Sequence, residues 1–201
     1  MDKGLYRKKI MLIIIGSIIS AYGITLAMFS GFGSATLAVL WQGIAKTMNI
    51  TLGQASLVAA VFMIIFGLIY DCHQLGVGTI LYQVIYGYFV DVFTAVHYYP
   101  ENEILCFLIM CLGIIIFAIG TGIYCTADLG RGSYDIVSFA IAEKCNYQIR
   151  YVRMGVDIAV VLIGMILGGN AGMCTIITIL FAGNVIQLTI KMIKQYFPNL
   201  A

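Results

Sequence analysis

The sequence predicts an all-α polytopic membrane protein: six transmembrane helices in two inverted three-span repeats, each with a short re-entrant helix. Three observations carry that prediction. Hydrophobic residues make up 62% of the chain and charged residues 10%, against about 25% charged in a typical soluble domain. A soluble protein this apolar could not cover its own surface, whereas lipid tolerates it. Six runs are long and apolar enough to cross about 30 Å of hydrocarbon, which takes roughly 20 residues. Finally, the chain is doubled. Gly16, Gly23, Gly33, Asn49 and Gly67 recur 97 positions later as Gly113, Gly120, Gly130, Asn146 and Gly164. After a one-residue slip, Gly76, Thr79, Ile80 and Gly87 recur 96 positions later as Gly172, Thr175, Ile176 and Gly183. An internally repeated apolar chain is a common ground plan of membrane transporters.

The first run, 10–29, follows Lys3, Arg7, Lys8 and Lys9 and has the outline of a signal peptide. Its counterpart at 107–126 argues for a retained span instead. Next comes the turn Ser30-Gly31-Phe32-Gly33 and a shorter segment, 34–48. About 15 helical residues reach only ~22 Å, too little to span, so the segment reads as re-entrant with its amino end near the bilayer centre. Runs 52–70 and 78–97 complete the first repeat, about 10–97, and a linker with Pro100 follows. The second repeat, about 104–191, retraces the plan: run 104–127, the turn Asp128 to Gly132, the short segment 133–146, and runs 151–169 and 173–191. The whole chain, 1–201, reads as a single membrane domain. Gly16, Ser20, Gly23 and Ala27 share one helix face, the small-residue pattern that lets helices approach closely in lipid.

With the amino terminus inside, all of the 11 lysines and arginines except Lys46 fall on the cytoplasmic side. Both termini are then cytoplasmic and the linker is external. Eight spans in two parallel halves score equally, with Arg131 as the exception. Residues 128–153 hold Arg131, Lys144, Arg150 and Arg153, whereas residues 31–56 hold only Lys46. That asymmetry favours six.

The turns feeding the short helices are the first candidate site. A helix amino terminus presents unpaired N–H groups and about half a positive charge. Ser34 and Ser133 are placed to cap those ends, Thr36 and Gly132 lie beside them, and Arg131 adds charge. Two such ends meeting at the centre would form an anion-friendly pocket; the plainer alternative is helix capping and a topology-setting arginine. Thr79 and Thr175, after the glycine-rich openings of the third spans, are a second candidate, with a tight turn as the alternative. Asp91 is the third. It lies ~20 Å along its span, where a carboxylate calls for a polar cavity or partner, and its counterpart Gln187 is also polar. A proton- or cation-coupling role follows, against one of reaching interfacial water. Asp157, early in its span, reads as interfacial. Trp41 and the tyrosines at 82, 86, 88, 98 and 99 suit interfacial aromatic belts.

No catalytic constellation is visible, neither a P-loop nor a metalloprotease or hydrolase motif, so an enzyme is not expected. The six cysteines form no C-x-x-C pair, and Cys72-His73 alone does not make a metal site. No cofactor is expected, and a net charge of +2 is too small to suggest nucleic acid.

Leu129-Gly130-Arg131-Gly132-Ser133-Tyr134-Asp135, the run from Gly76 to Asp91, and Gly168 to Thr175 resemble the YczE/YitT-type bacterial integral membrane proteins. The resemblance covers about residues 10–191 and departs at Ser133, where that family tends to carry proline, and at Cys174, where it favours glycine. It implies a polytopic protein of the bacterial cytoplasmic membrane and supplies no catalytic residue. The expected partners are therefore the lipid bilayer and a small solute, with a lean toward an anion, and the expected work is transport or solute binding. A substrate-capture subunit with a membrane partner, a non-transporting scaffold and a homo-oligomer stay open.

Overall fold

A computed structural model describes residues 3–70, 75–96 and 100–196. Among them run eight helices and no strand: α1 (Lys3–Met28), α2 (Thr36–Met48), α3 (Leu52–Tyr70), α4 (Val77–Thr94), α5 (Glu103–Thr126), α6 (Ser133–Cys145), α7 (Ile149–Ile166) and α8 (Met173–Tyr196). A π-helical turn, Thr178–Ala182, interrupts α8. The chain is thus a multi-pass helical membrane protein. Five helices, α1, α3, α4, α5 and α8, are long and apolar enough to cross a bilayer. The sixth expected span, α7, has length enough at 18 residues but carries Arg150, Arg153 and Asp157. Those charges set it apart from the other five, because each one is costly in hydrocarbon unless partnered.

The two short segments are helices of 13 residues each, about 20 Å long. Each stops on an asparagine in the left-handed conformation, Asn49 at φ 55° and Asn146 at φ 53°. Their N–H groups return to Ala45 and Ala142 carbonyls, closing the last turn as left-handed caps do.

The centre is the crossing of α1 and α5. Gly16 lies against Gly120 and Tyr124, and Gly23 against Gly113 and Phe117, so the two helices run antiparallel. A Cβ on Gly23 would collide with the Phe117 backbone nitrogen; glycine permits the approach, and close packing stabilises it in lipid. At mid-crossing the Ser20 and Thr121 hydroxyls sit 3.2 Å apart. Helix α4 packs beside α1 and α8 beside α5. The short helices cross over: α2 packs on α7, with Gly164 against Val39 and Leu40, and α6 packs on α3, with Gly67 against Ile136.

An aromatic column fills the core. Tyr124 stacks on Tyr82 at 4.0 Å, Tyr82 on Tyr86 at 5.3 Å, and Tyr86 meets the Trp41 edge at 5.6 Å. The expectation of interfacial belts is therefore corrected for these rings. Trp41 and Tyr86 are buried and Tyr82 is half-buried, because each has an aromatic partner on a neighbouring helix. Tyr88 does face outward, while residues 98 and 99 lie outside the described residues, as do Cys72 and His73.

Candidate functional site

Two turns of the same construction lead into the short helices. Gly33 and Gly130 hold φ of 87° and 129°, the region that favours glycine. Gly33 abuts Gly172, and Gly130 abuts Gly76. The Cys174 N–H donates to the Phe32 carbonyl at 3.0 Å, as the Gly78 N–H does to Leu129 at 2.9 Å. The Thr175 hydroxyl donates to the Ser34 carbonyl at 2.5 Å, as the Thr79 hydroxyl does to Arg131 at 2.6 Å. In turn, the Gly172 and Gly76 N–H groups donate to those same hydroxyls. Thr175 and Thr79, expected as solute contacts, are thus the clasps that fix the turns.

The turns place the amino ends of α2 and α6. Neither serine caps its helix: the cap positions are Ala35 and Gly132, with no side-chain cap bond. Ser34 is fully buried and its hydroxyl has no hydrogen-bond partner. It borders an open cleft of about 430 Å³, lined also by Gln42, Asn170 and the backbone of residues 31–33 and 171–172. No charged side chain lines it. Ser133 is buried at the start of α6. Arg131 lies with its guanidinium 3.5 Å from the Phe139 ring centroid, a cation–π contact.

Helices α2 and α6 both pack on α7. The hydroxyl of Tyr134, the second residue of α6, donates to the Arg153 carbonyl at 3.3 Å, and the Arg153 guanidinium pairs with Asp135 of α6 at 3.2 Å. Arg153 escaped sequence reasoning because it looks like a topology determinant. The signal that could have found it is the presence of two charges, Arg153 and Asp157, inside the expected span 151–169. Asp91 stands elsewhere. Its oxygens accept from the Thr51 hydroxyl at 2.6 Å and the Gly53 N–H at 2.7 Å, so it tethers the amino end of α3, where negative charge is stabilising. Among the described residues no cluster of His, Cys, Asp and Glu has the makings of a metal site. The arrangement offers hydrogen-bond donors, two helix amino ends and a balanced set of charges, which suits binding.

A family model described as "Family of unknown function (DUF6198)" matches residues 7–191. An uncharacterized protein of Haemophilus influenzae is 31% identical over 190 residues, covering 94% of this chain and 86% of the relative. The uncharacterized membrane protein YczE of Bacillus subtilis is 24% identical over 87% of this chain and 82% of its own length. YyaS of the same organism, also uncharacterized, is 23% identical over 91% and 92%. The match to YczE accords with the resemblance seen in the glycine-rich motifs. No solved structure matches the chain.

Proposed function

The chain belongs to the DUF6198 family of unknown function, and we propose that it is a carrier that binds a small anionic solute between the amino ends of α2 and α6. Rocking of one half against the other would expose that site to each side in turn. The observation that carries the reading is the crossed set of turn contacts. Every one joins one half to the other, and each has a counterpart with the halves exchanged: Gly33–Gly172 with Gly130–Gly76, and Thr175–Ser34 with Thr79–Arg131. Together with the antiparallel α1 and α5, this supports two copies related by an axis in the membrane plane.

Such an axis requires an odd number of crossings per half. Three spans with a re-entrant α2 or α6 meet that requirement, giving six crossings. Lys46, near the end of α2, donates to the Gly168 carbonyl just past α7. Eight parallel crossings would put those residues on opposite sides. Lysine and arginine placement supports cytoplasmic termini in that arrangement. A capture subunit that offered the small-residue face of α1 to an energising partner fits less well, because α5 already covers that face.

Two experiments test the reading. In a thermal-shift screen of detergent-solubilised protein against carboxylates, phosphate esters and neutral metabolites, an anion should raise the melting temperature, and Thr36→Val with Ser133→Ala should abolish the shift. A panel that leaves the melting temperature unchanged sinks the solute site. Glu101→Cys in a cysteine-free background should react with an impermeant thiol reagent applied to intact cells; labelling only from the inside sinks the six-crossing topology.

A further inference from the structure

We propose that the cleft between α2 and the turn joining α7 to α8 holds a small carboxylate with an apolar body, Ser34 and Gln42 donating to its oxygens. This rests on the anion reading above and adds the class of solute and the half of the molecule that receives it.

The polar groups of the cleft are the first argument. Ser34 is fully buried and its hydroxyl has no hydrogen-bond partner, a costly state that a ligand oxygen relieves. Gln42 has a fixed orientation. Its Oε1 accepts from the Asn170 N–H at 3.0 Å, so its Nε2 brings two N–H donors to the cleft wall. Ser34 lies two residues ahead of α2, whose Ala35 cap forms no side-chain bond, and that helix end adds about half a positive charge. The carbonyls of the two turns are already engaged. Phe32 accepts from the Cys174 N–H, Asn170 from the Ser34 N–H, and Ser34 from the Thr175 hydroxyl. Donors remain while acceptors are committed, which suits an anion and not a metal cation, whose ligands are oxygens.

Charge and shape are the second argument. No lysine or arginine lines the cleft, so its helix end matches one carboxylate better than a phosphate dianion. One turn beyond Gln42 on the same face of α2, Lys46 donates to the Gly168 carbonyl. It draws anions toward the cleft without lining it. Met28, Phe32 and Met173 complete the wall and take apolar carbons, the methionines adapting to their shape.

The other half of the chain is the third argument. At the 97-residue spacing, Ser34 and Gln42 correspond to Arg131 and Phe139. There the guanidinium lies over the ring, 3.5 Å from its centroid, so the chain occupies that place with its own side chains. A hydroxyl and an amide at the matching positions leave the first half open for a ligand.

The test is equilibrium binding of radiolabelled butyrate to the purified protein in lipid nanodiscs, with empty nanodiscs as the blank. Binding should saturate and be competed by unlabelled acetate and hexanoate, but not by butyramide or inorganic phosphate. Gln42→Glu keeps an acceptor for the Asn170 N–H while setting a negative charge beside the ligand, so it should weaken binding about tenfold or more. Ser34→Ala should weaken it about threefold or more, and neither variant should lower the melting temperature. No saturable binding of butyrate, wild-type affinity in both variants, or phosphate competing as well as acetate overturns the proposal. Butyrate binding that survives Thr36→Val with Ser133→Ala but fails in Gln42→Glu upholds the cleft and sinks the placement between two amino ends. An anion from the thermal-shift screen whose effect is untouched by Gln42→Glu does the reverse.

Discussion

The seam between α3 and α4 is shut, and the seam between α7 and α8 is open, although the two helix pairs occupy matching places in the two halves. In the first, a Cβ on Gly53 would strike the Gly87 carbonyl, the Gln83 amide donates to the Ser56 carbonyl at 3.2 Å, and Asp91 bonds across to Thr51 and Gly53. In the second, Gly183 takes the place of Gly87 and touches nothing within 4 Å. The sequence explains the difference. Gly53 and Ser56 are small enough to let α4 settle on α3, whereas the position matching Ser56 is Arg153, too long to enter so close a contact. The α3–α4 seam is thus closely packed, and the α7–α8 seam is open beside a helix that carries charge.

Substitutions can break that contrast, beginning with the largest effect. Gly53→Leu should destabilise by on the order of 3 kcal/mol through overpacking, while Gly183→Leu changes thermal unfolding in detergent little or raises it, since glycine is a poor helix former. Equal losses from both would mean that the second seam also closes. Asp91→Ala should cost about 1–2 kcal/mol by freeing the amino end of α3, and it should leave anion binding intact. Thr79→Val and Thr175→Val should each cost about 1 kcal/mol, alike because the two clasps are alike; a large disparity in their unfolding curves would separate the two turns. Ser34→Ala should cost close to nothing, because its buried hydroxyl has no partner to lose, and yet it should weaken solute binding in the thermal-shift assay.

Much of the fold was legible beforehand. The short helices came out at Thr36–Met48 and Ser133–Cys145 against expected segments 34–48 and 133–146, because a left-handed asparagine ends each and a glycine turn begins each. The capping serines and the interfacial placement of Trp41, Tyr82 and Tyr86 were not matched. Each of those turns on direction: a rotation of about 100° around a helix decides whether a tyrosine meets lipid or another ring.

The sequence by itself determined the membrane class and the punctuation of the short helices, since run length, composition and backbone-specific residues act locally along the chain. Tertiary structure alone decided that the Thr79 hydroxyl is spent on the Arg131 carbonyl, 52 residues away, that Asp91 tethers α3, and that Arg153 of α7 pairs with Asp135 of α6. The physical reason is that a polar group in a membrane is defined by its partner, and these partners come from distant segments that only folding brings within hydrogen-bonding reach.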